Sequence, residues 1–158
     1  MPFFRRVREL IGGRHRVYVL ASQVKLVTRR TESVSGKFVF PGFDFVDDIT
    51  VDGLSVGYVD YGISPLGDRL YINMIEIAPQ HRKKGIGMSV LWILWCTDQI
   101  PIVPLNQRTS SDGFWSLARD CLAAAGGRIE AELRGTEQME CEQQRWSHLV
   151  SNSALRIM

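Results

Sequence analysis

Cysteine, long apolar runs and net charge are all scarce in this chain, and each shortage closes off a class of protein. The three cysteines, Cys96, Cys121 and Cys141, are odd in number and show no CxxC or paired-histidine spacing. That argues against a disulfide framework and a structural zinc, and for a reducing compartment. The longest apolar stretch, around Met88 to Cys96, falls well short of the roughly 20 residues a membrane span needs. The opening "MPFFRRVRELIGG" carries charge but no apolar core with a small-residue cleavage site, so it does not read as a signal peptide. Phe3, Phe4, Val7, Leu10 and Ile11 fall instead at helical spacing, the pattern of a short amphipathic helix docked on the domain rather than a membrane anchor. No repeat, low-complexity tract or linker interrupts the chain. The expectation is a cytoplasmic protein of one domain, residues 1–158, without a metal site or a membrane partner.

What is present is ordinary globular composition: 158 residues, 45% apolar and 23% charged, enough to bury a core without staples. The formal net charge of +2 hides a segregation. Residues 1–30 hold eight Lys/Arg against the single Glu9, and residues 31–68 hold seven acids against the single Lys37. Such asymmetry marks either a basic surface for nucleic acid beside an acidic one for a cationic substrate, or two solvated faces of opposite sign.

Along the chain, "HRVYVLASQVKLVT" (15–28) is β-rich, and "KFVFPGFDFV" (37–46) is a strand pattern bent or bulged at Pro41-Gly42. "ITVDGLSVGYVDYGI" (49–63) carries the hairpin signal Asp52-Gly53. "SPLGD" (64–68) reads as a turn, and "RLYINMIEIA" (69–78) as a strand ended by Pro79. A helix from about Lys84 to Asp98 places Val90, Leu91, Leu94 and Trp95 on one stripe. "PIVPL" (101–105) is a short buried strand. "SDGFWSLARDCLAAAGG" is a second helix, capped by Ser111 or Asp112 and stopped by Gly126-Gly127. "RIEAELRG" and "EQMECEQQRWSHLV" read as two closing strands. Strands, then strand–helix–strand–helix, then strands predict an α+β domain with a mixed, mostly antiparallel sheet flanked by helices.

The chemistry concentrates in "EIAPQHRKKGIGMSVL" (76–91). A strand ends at a proline, Arg82, Lys83 and Lys84 follow, and Gly85 and Gly87 open a helix. Bare N–H groups at a helix start and the positive end of its dipole make an anion site, and glycines let a phosphate approach. The P-loop pattern GxxxxGK[ST] is absent. The dinucleotide pattern GxGxxG begins at Gly85-Ile86-Gly87 but has Val90 in place of its third glycine, and "PIVPL" is followed by Asn106 rather than an acid.

A third pattern fits. Arg82-Lys83-Lys84-Gly85-Ile86-Gly87 matches [RQ]-x-x-G-x-[GA] and resembles the pyrophosphate loop of the GNAT superfamily of N-acetyltransferases. "IEIAP" stands where that family has its fourth strand, and the family's third helix follows. The match covers Arg69 to Arg134, about two-fifths of the chain. It implies a GNAT-like acyl-CoA N-acyltransferase fold. In it the backbone of Arg82, Lys83, Lys84, Gly85, Ile86 and Gly87 holds the pyrophosphate of acetyl-coenzyme A, while the strand from Ile75 through Ile77 to Ala78 hydrogen-bonds the pantetheine arm. "PLNQRTSSDGFWSL" is similar, more loosely, to GNAT-like proteins of phages and mobile elements. Two departures stand out. Thr28 to Gly36 is too short for the two helices the family places between its first strands, unless residues 3–11 supply one. The helix that often carries a thiolate-protonating tyrosine offers Ser116 and Cys121 here, with no tyrosine after Tyr71.

The resemblance implies acetyl transfer to an amine by direct attack in a ternary complex. The thioester carbonyl is polarised by a strand N–H, for which Ile77 is the candidate. Glu76 interrupts an apolar strand beside the cofactor; it is either the general base, with a pKa raised by partial burial, or a solvent-facing carboxylate or partner of Arg82. Ser116 is the second catalytic candidate. Asp44, Asp47 and Asp48 either draw in a cationic amine or form a solvated acidic loop. His81, His148, Phe114 and Trp115 read as neighbours or core rather than catalysts. The acceptor is a small-molecule or protein amine. A different class keeps the fold without the reaction: a regulatory or binding protein, associated with nucleic acid through Arg5, Arg6, Arg8, Arg14, Arg16, Arg29 and Arg30, with salt-dependent affinity. An acetyltransferase acting on a nucleic acid or aminoacyl-tRNA lies between the two. Exposed strand edges and the tryptophan-rich helix leave room for a homodimer.

Overall fold

A computed structural model describes residues 23–31 and 44–149. The 3–11 helix, the start of the 15–28 strand and the Pro41-Gly42 bend therefore lie outside the described residues. Among those described, β1 (Val24–Thr31), β2 (Asp44–Val51), β3 (Leu54–Ile63), β4 (Leu70–Ile77) and β5 (Ile102–Pro104) form one sheet in that order. The first three junctions are antiparallel and β4–β5 is parallel. Helices α1 (Ile86–Asp98) and α2 (Asp112–Ala124) follow β4 and β5, and α3 (Gly135–Gln144) comes last. The expected α+β class with a mixed, mostly antiparallel sheet is what forms.

Local chemistry explains the junctions. Asp52 at φ 53° and Gly53 at φ 79° make the two-residue left-handed turn that joins β2 to β3, matching the twist of the paired strands. The β3–β4 turn closes through Ser64, whose N–H donates to the Arg69 carbonyl at 2.9 Å and whose hydroxyl donates to Asp68 at 2.7 Å. Pro79, lacking an N–H, ends the ladder and opens a short 3₁₀ turn, Pro79–His81. Gln99 at φ 51° stops α1, its N–H donating to the Trp95 carbonyl at 2.8 Å.

The main core lies on one face of the sheet. Leu70, Ile72, Val59 and Ile49 meet Val90, Leu91 and Leu94 of α1 and Trp115, Ala118 and Leu122 of α2. Both helices share that face. Side chains alternate along a strand, so Tyr71, Val103 and Leu105 point the other way and form a second core with Met139 and Trp146.

That second core corrects the C-terminal reading. "RIEAELRG" pairs with the sheet only through single parallel bridges, Ile102 to Ile129 and Leu105 to Leu133, though Ile129 and Leu133 also pack on the cores. Most of "EQMECEQQRWSHLV" is not a strand but α3 and the turn after it. Met139, Glu142, Trp146 and Leu149, spaced at three or four residues, face the sheet. Glu142 is only 5% exposed because it has partners. It accepts from Tyr71, from Arg69 at 2.6 Å and from Arg145 at 2.7 Å, while Arg145 also pairs with Asp68. One carboxylate thereby ties α3 to the start of β4.

Candidate functional site

The site begins where β4 loses a neighbour. β5 pairs with β4 only through Leu70, Tyr71 and Ile72, and the last bond on that side runs from Leu105 N–H to the Ile72 carbonyl at 2.9 Å. From Asn73 to Ile77 the strand has β3 on one side and, among the described residues, no strand on the other.

A β-bulge decides which groups face the gap. The β3–β4 register slips between Asp60 and Tyr61, leaving Asn73 as an extra residue, which reverses the alternation beyond it. Before the bulge Leu70 and Ile72 bond toward β5. After it Ala78 N–H donates to the Val56 carbonyl at 2.9 Å, so Glu76 and Met74 direct their backbone to β3. Ile75 and Ile77 direct theirs into the gap, while their side chains pack on the main core. One acceptor there is taken, since Arg82 Nε donates to the Ile77 carbonyl at 2.7 Å.

The loop after β4 then turns sharply. Arg82 is extended, at φ −72° and ψ 162°, and Lys83 at φ 60° and Gly85 at φ 82° are both left-handed. Lysine in that region is strained by roughly 1–2 kcal/mol, whereas glycine is at home there. Gly85 is the N-cap of α1 and provides no capping side chain, so the first amides of a 13-residue helix, at Ile86, Gly87 and Met88, meet no side-chain acceptor from it. Lys83 and Lys84 are exposed beside them. Gly87 has a further reason to be glycine: a Cβ there would lie 3.1 Å from the Phe114 ring.

The nine residues expected at a cofactor, Ile75, Ile77, Ala78, Arg82, Lys83, Lys84, Gly85, Ile86 and Gly87, thus form one continuous strand end, turn and helix start. The side-chain candidates fare differently. Glu76 is exposed on the face opposite the main core, not half-buried. It accepts a hydrogen bond from Tyr58 Oη at 3.3 Å rather than pairing with Arg82. Ser116 is exposed on α2 and, among the described residues, makes no hydrogen bond to the loop or to β4. Cys121 is buried, and burial, followed by the nearby Asp120, pushes its thiol pKa up. Trp115 is core, and His148 is exposed.

The acidic run does not form a solvated loop. Asp47 and Asp48 lie in β2; Asp47 is buried and accepts from Tyr61 at 2.9 Å, and Asp48 pairs with Arg29. Of the seven arginines proposed for nucleic acid, Arg29 is therefore engaged, and Arg5, Arg6, Arg8, Arg14 and Arg16 lie outside the described residues, as does the Arg30 side chain. No described helix is long and apolar enough to cross a membrane, and no group of three or more metal-ligating side chains occurs among the described residues.

Sequence reasoning missed Tyr58 and Gln107. Gln107 gathers the end of β5: its N–H donates to Glu132 at 3.0 Å, its amide to Asp112 at 2.7 Å, and its carbonyl accepts from Arg134 at 2.9 Å. It fixes the start of α2, and with it the Phe114 ring over Gly87. A single glutamine in "PLNQR" gives no such signal, because its partners lie up to 27 residues away. Compared with protein-family models, with curated proteins and with solved structures, the chain matches none of them.

Proposed function

We propose that this chain is a GNAT-type N-acetyltransferase that moves an acetyl group from acetyl-coenzyme A to an amine in a ternary complex. One observation carries the reading: the gap-facing backbone of Ile75 and Ile77 runs directly into an uncapped helix start flanked by Arg82, Lys83 and Lys84. That sequence of donors suits a ligand with amides along an extended arm and a pyrophosphate at its end.

In this reading Ile75 and Ile77 hold the arm, since the Ala78 N–H is given to Val56 and its carbonyl accepts from the His81 N–H at 2.8 Å, and residues 82–87 hold the pyrophosphate. The Ile77 N–H polarises the thioester carbonyl. Glu76 accepts a proton from the ammonium, directly or through a water, and the freed nitrogen forms the N–C bond as the C–S bond breaks. The sulfur leaves as thiolate and is protonated through Ser116 or water, which recovers its proton from the second one that the nitrogen sheds as the amide forms; Cys121 is removed as a donor by its burial. Glu76 then returns its proton to solvent. The acceptor is a small-molecule or protein amine, and the reaction suits a reducing, cytoplasmic setting.

The test is calorimetric titration of acetyl-coenzyme A into wild type and Lys84→Glu. Lys84 is exposed, so reversing it leaves the packing alone, whereas Gly87→Glu would also displace Phe114. Affinity is expected to fall about tenfold, or roughly 1.4 kcal/mol. A folded wild type that binds no acetyl-coenzyme A overturns the reading and leaves the basic N-terminal segment and nucleic acid as the place to look.

A further inference from the structure

Glu76 and Tyr58 stand directly opposite each other across β4 and β3. A glutamate on an open strand face ordinarily samples several rotamers, and a base that wanders loses the advantage of a fixed geometry. Two features restrain this one. Beneath it, Gly57 lies so close that a Cβ would come within 2.0 Å of the Glu76 carbonyl oxygen, so only glycine allows β3 to approach β4 at this residue. Bulges flank the pair, with Val56 the extra residue in β3 and Asn73 in β4, which fixes the register that brings the side chains together. Above it, the Tyr58 hydroxyl donates to Oε2 at 3.3 Å. Burial, followed by the charge of Glu76, raises the Tyr58 pKa above the usual tyrosine value, so the hydroxyl stays protonated and remains a donor.

We infer that Tyr58 is a positioning residue for Glu76, holding Oε2 so that Oε1 is presented to the incoming ammonium. The inference rests on the acetyl-transfer reading. It adds a side chain on β3 that sets the orientation of the base on β4, and it explains why the turn-free middle of β3 contains Gly57-Tyr58. A purely structural cross-strand pair would instead affect stability and leave turnover alone.

The experiment uses the full chain as wild type, Tyr58→Phe, Glu76→Gln and the double variant. Acetyl-coenzyme A binding is read by calorimetry. Thiol release is read with spermidine, tyramine and a free-amino tripeptide as probe amines. The ring-carbon signal of Tyr58 is followed through alkaline pH. Tyr58→Phe should lower kcat about tenfold while leaving acetyl-coenzyme A binding and its KM unchanged. The double variant should be no slower than Glu76→Gln, because the tyrosine acts through the carboxylate. In Glu76→Gln the Tyr58 titration should move down toward an ordinary tyrosine. Unchanged kcat in Tyr58→Phe, with binding and turnover intact, overturns the role of Tyr58 alone. A Tyr58 titration indifferent to Glu76→Gln overturns it too. A wild type that binds no acetyl-coenzyme A, or releases no thiol with any probe, removes the acetyl-transfer reading and the inference with it.

Discussion

The two ends of β4 are built on opposite plans. Leu70, Tyr71 and Ile72 sit between two strands, with helices packed over both faces, and all three are buried. Three residues later the same strand has lost β5, its outer side chains, Met74 and Glu76, are exposed, and its free edge carries backbone donors. The first half anchors α1, α2 and α3 to one another. The second half is left under-bonded because everything around it is held by the first. An unpaired strand edge is ordinarily a liability; here it is short, bulged, and closed at its end by Arg82.

The largest effect should separate the halves by stability. Leu70 is fully buried, and Leu70→Ala should cost about 4 kcal/mol in urea unfolding. Met74, 37% exposed, should lose less than about 0.5 kcal/mol as Met74→Ala. Equal losses would mean that the second half is as tightly held as the first.

Next comes the carboxylate that ties α3 to β4. Glu142→Ala removes the common partner of Tyr71, Arg69 and Arg145 and should cost about 3 kcal/mol, at the low end for a broken buried pair because both arginines are partly exposed. Glu142→Gln, which keeps the shape, should cost less. Under the proposed function, acetyl-coenzyme A affinity of the folded fraction should not change in either variant, since the network lies at the enclosed end. A change in affinity would show that the halves are coupled.

Gly57→Ala crosses the boundary. A methyl 2.0 Å from the Glu76 carbonyl forces the strands apart. It should cost about 2 kcal/mol of stability and, if the proposed acetyl transfer holds, lower kcat in the folded protein by moving Glu76, unlike Leu70→Ala.

The smallest effect is a pH dependence at the enclosed end. Burial alone would raise the Asp68 pKa, but the hydrogen bonds from Ser64 and Arg145 and the charge of Arg145 outweigh it and hold the carboxyl below the usual range. A depressed folded-state value gives stability that is present above the unfolded pKa, about 3.9, and is lost as pH falls through the lower folded value. Urea midpoints should therefore decline below about pH 4, and less steeply in Asp68→Asn. A decline equally steep in that variant would assign the acid sensitivity to another group.

How much could be read in advance depended on range. The Asp52-Gly53 turn, the stop at Pro79 and the helix start at Gly85 were legible because a turn, a missing N–H or a left-handed φ is set by the residue itself. The C-terminal helix was not. Its stripe of Met139, Glu142, Trp146 and Leu149 includes a carboxylate, and a charge at a core position hides helical periodicity unless its partners are known. Those partners, Arg69 and Tyr71, are 73 and 71 residues away. The sequence left Glu76 open between a partly buried base and a solvent-facing carboxylate, and the structure gives the exposed one for a related reason: the bulge at Asn73 reverses the strand, and a bulge is visible only in the register of two paired strands.

The sequence by itself determined the Asp52-Gly53 hairpin, the strand–helix–strand–helix order from β4 to α2 and the glycine-and-lysine turn between β4 and α1, but not that β2 runs unbroken through Asp47 and Asp48, because the former follow from backbone preferences and side-chain periodicity within a few residues. Tertiary structure decided that β5 stops at Ile72's level, that Asn73 bulges, that Ile75 and Ile77 face the gap, and that Tyr58 reaches Glu76. Each of these is a relation between strands, and hydrogen-bond register is a property of the pair.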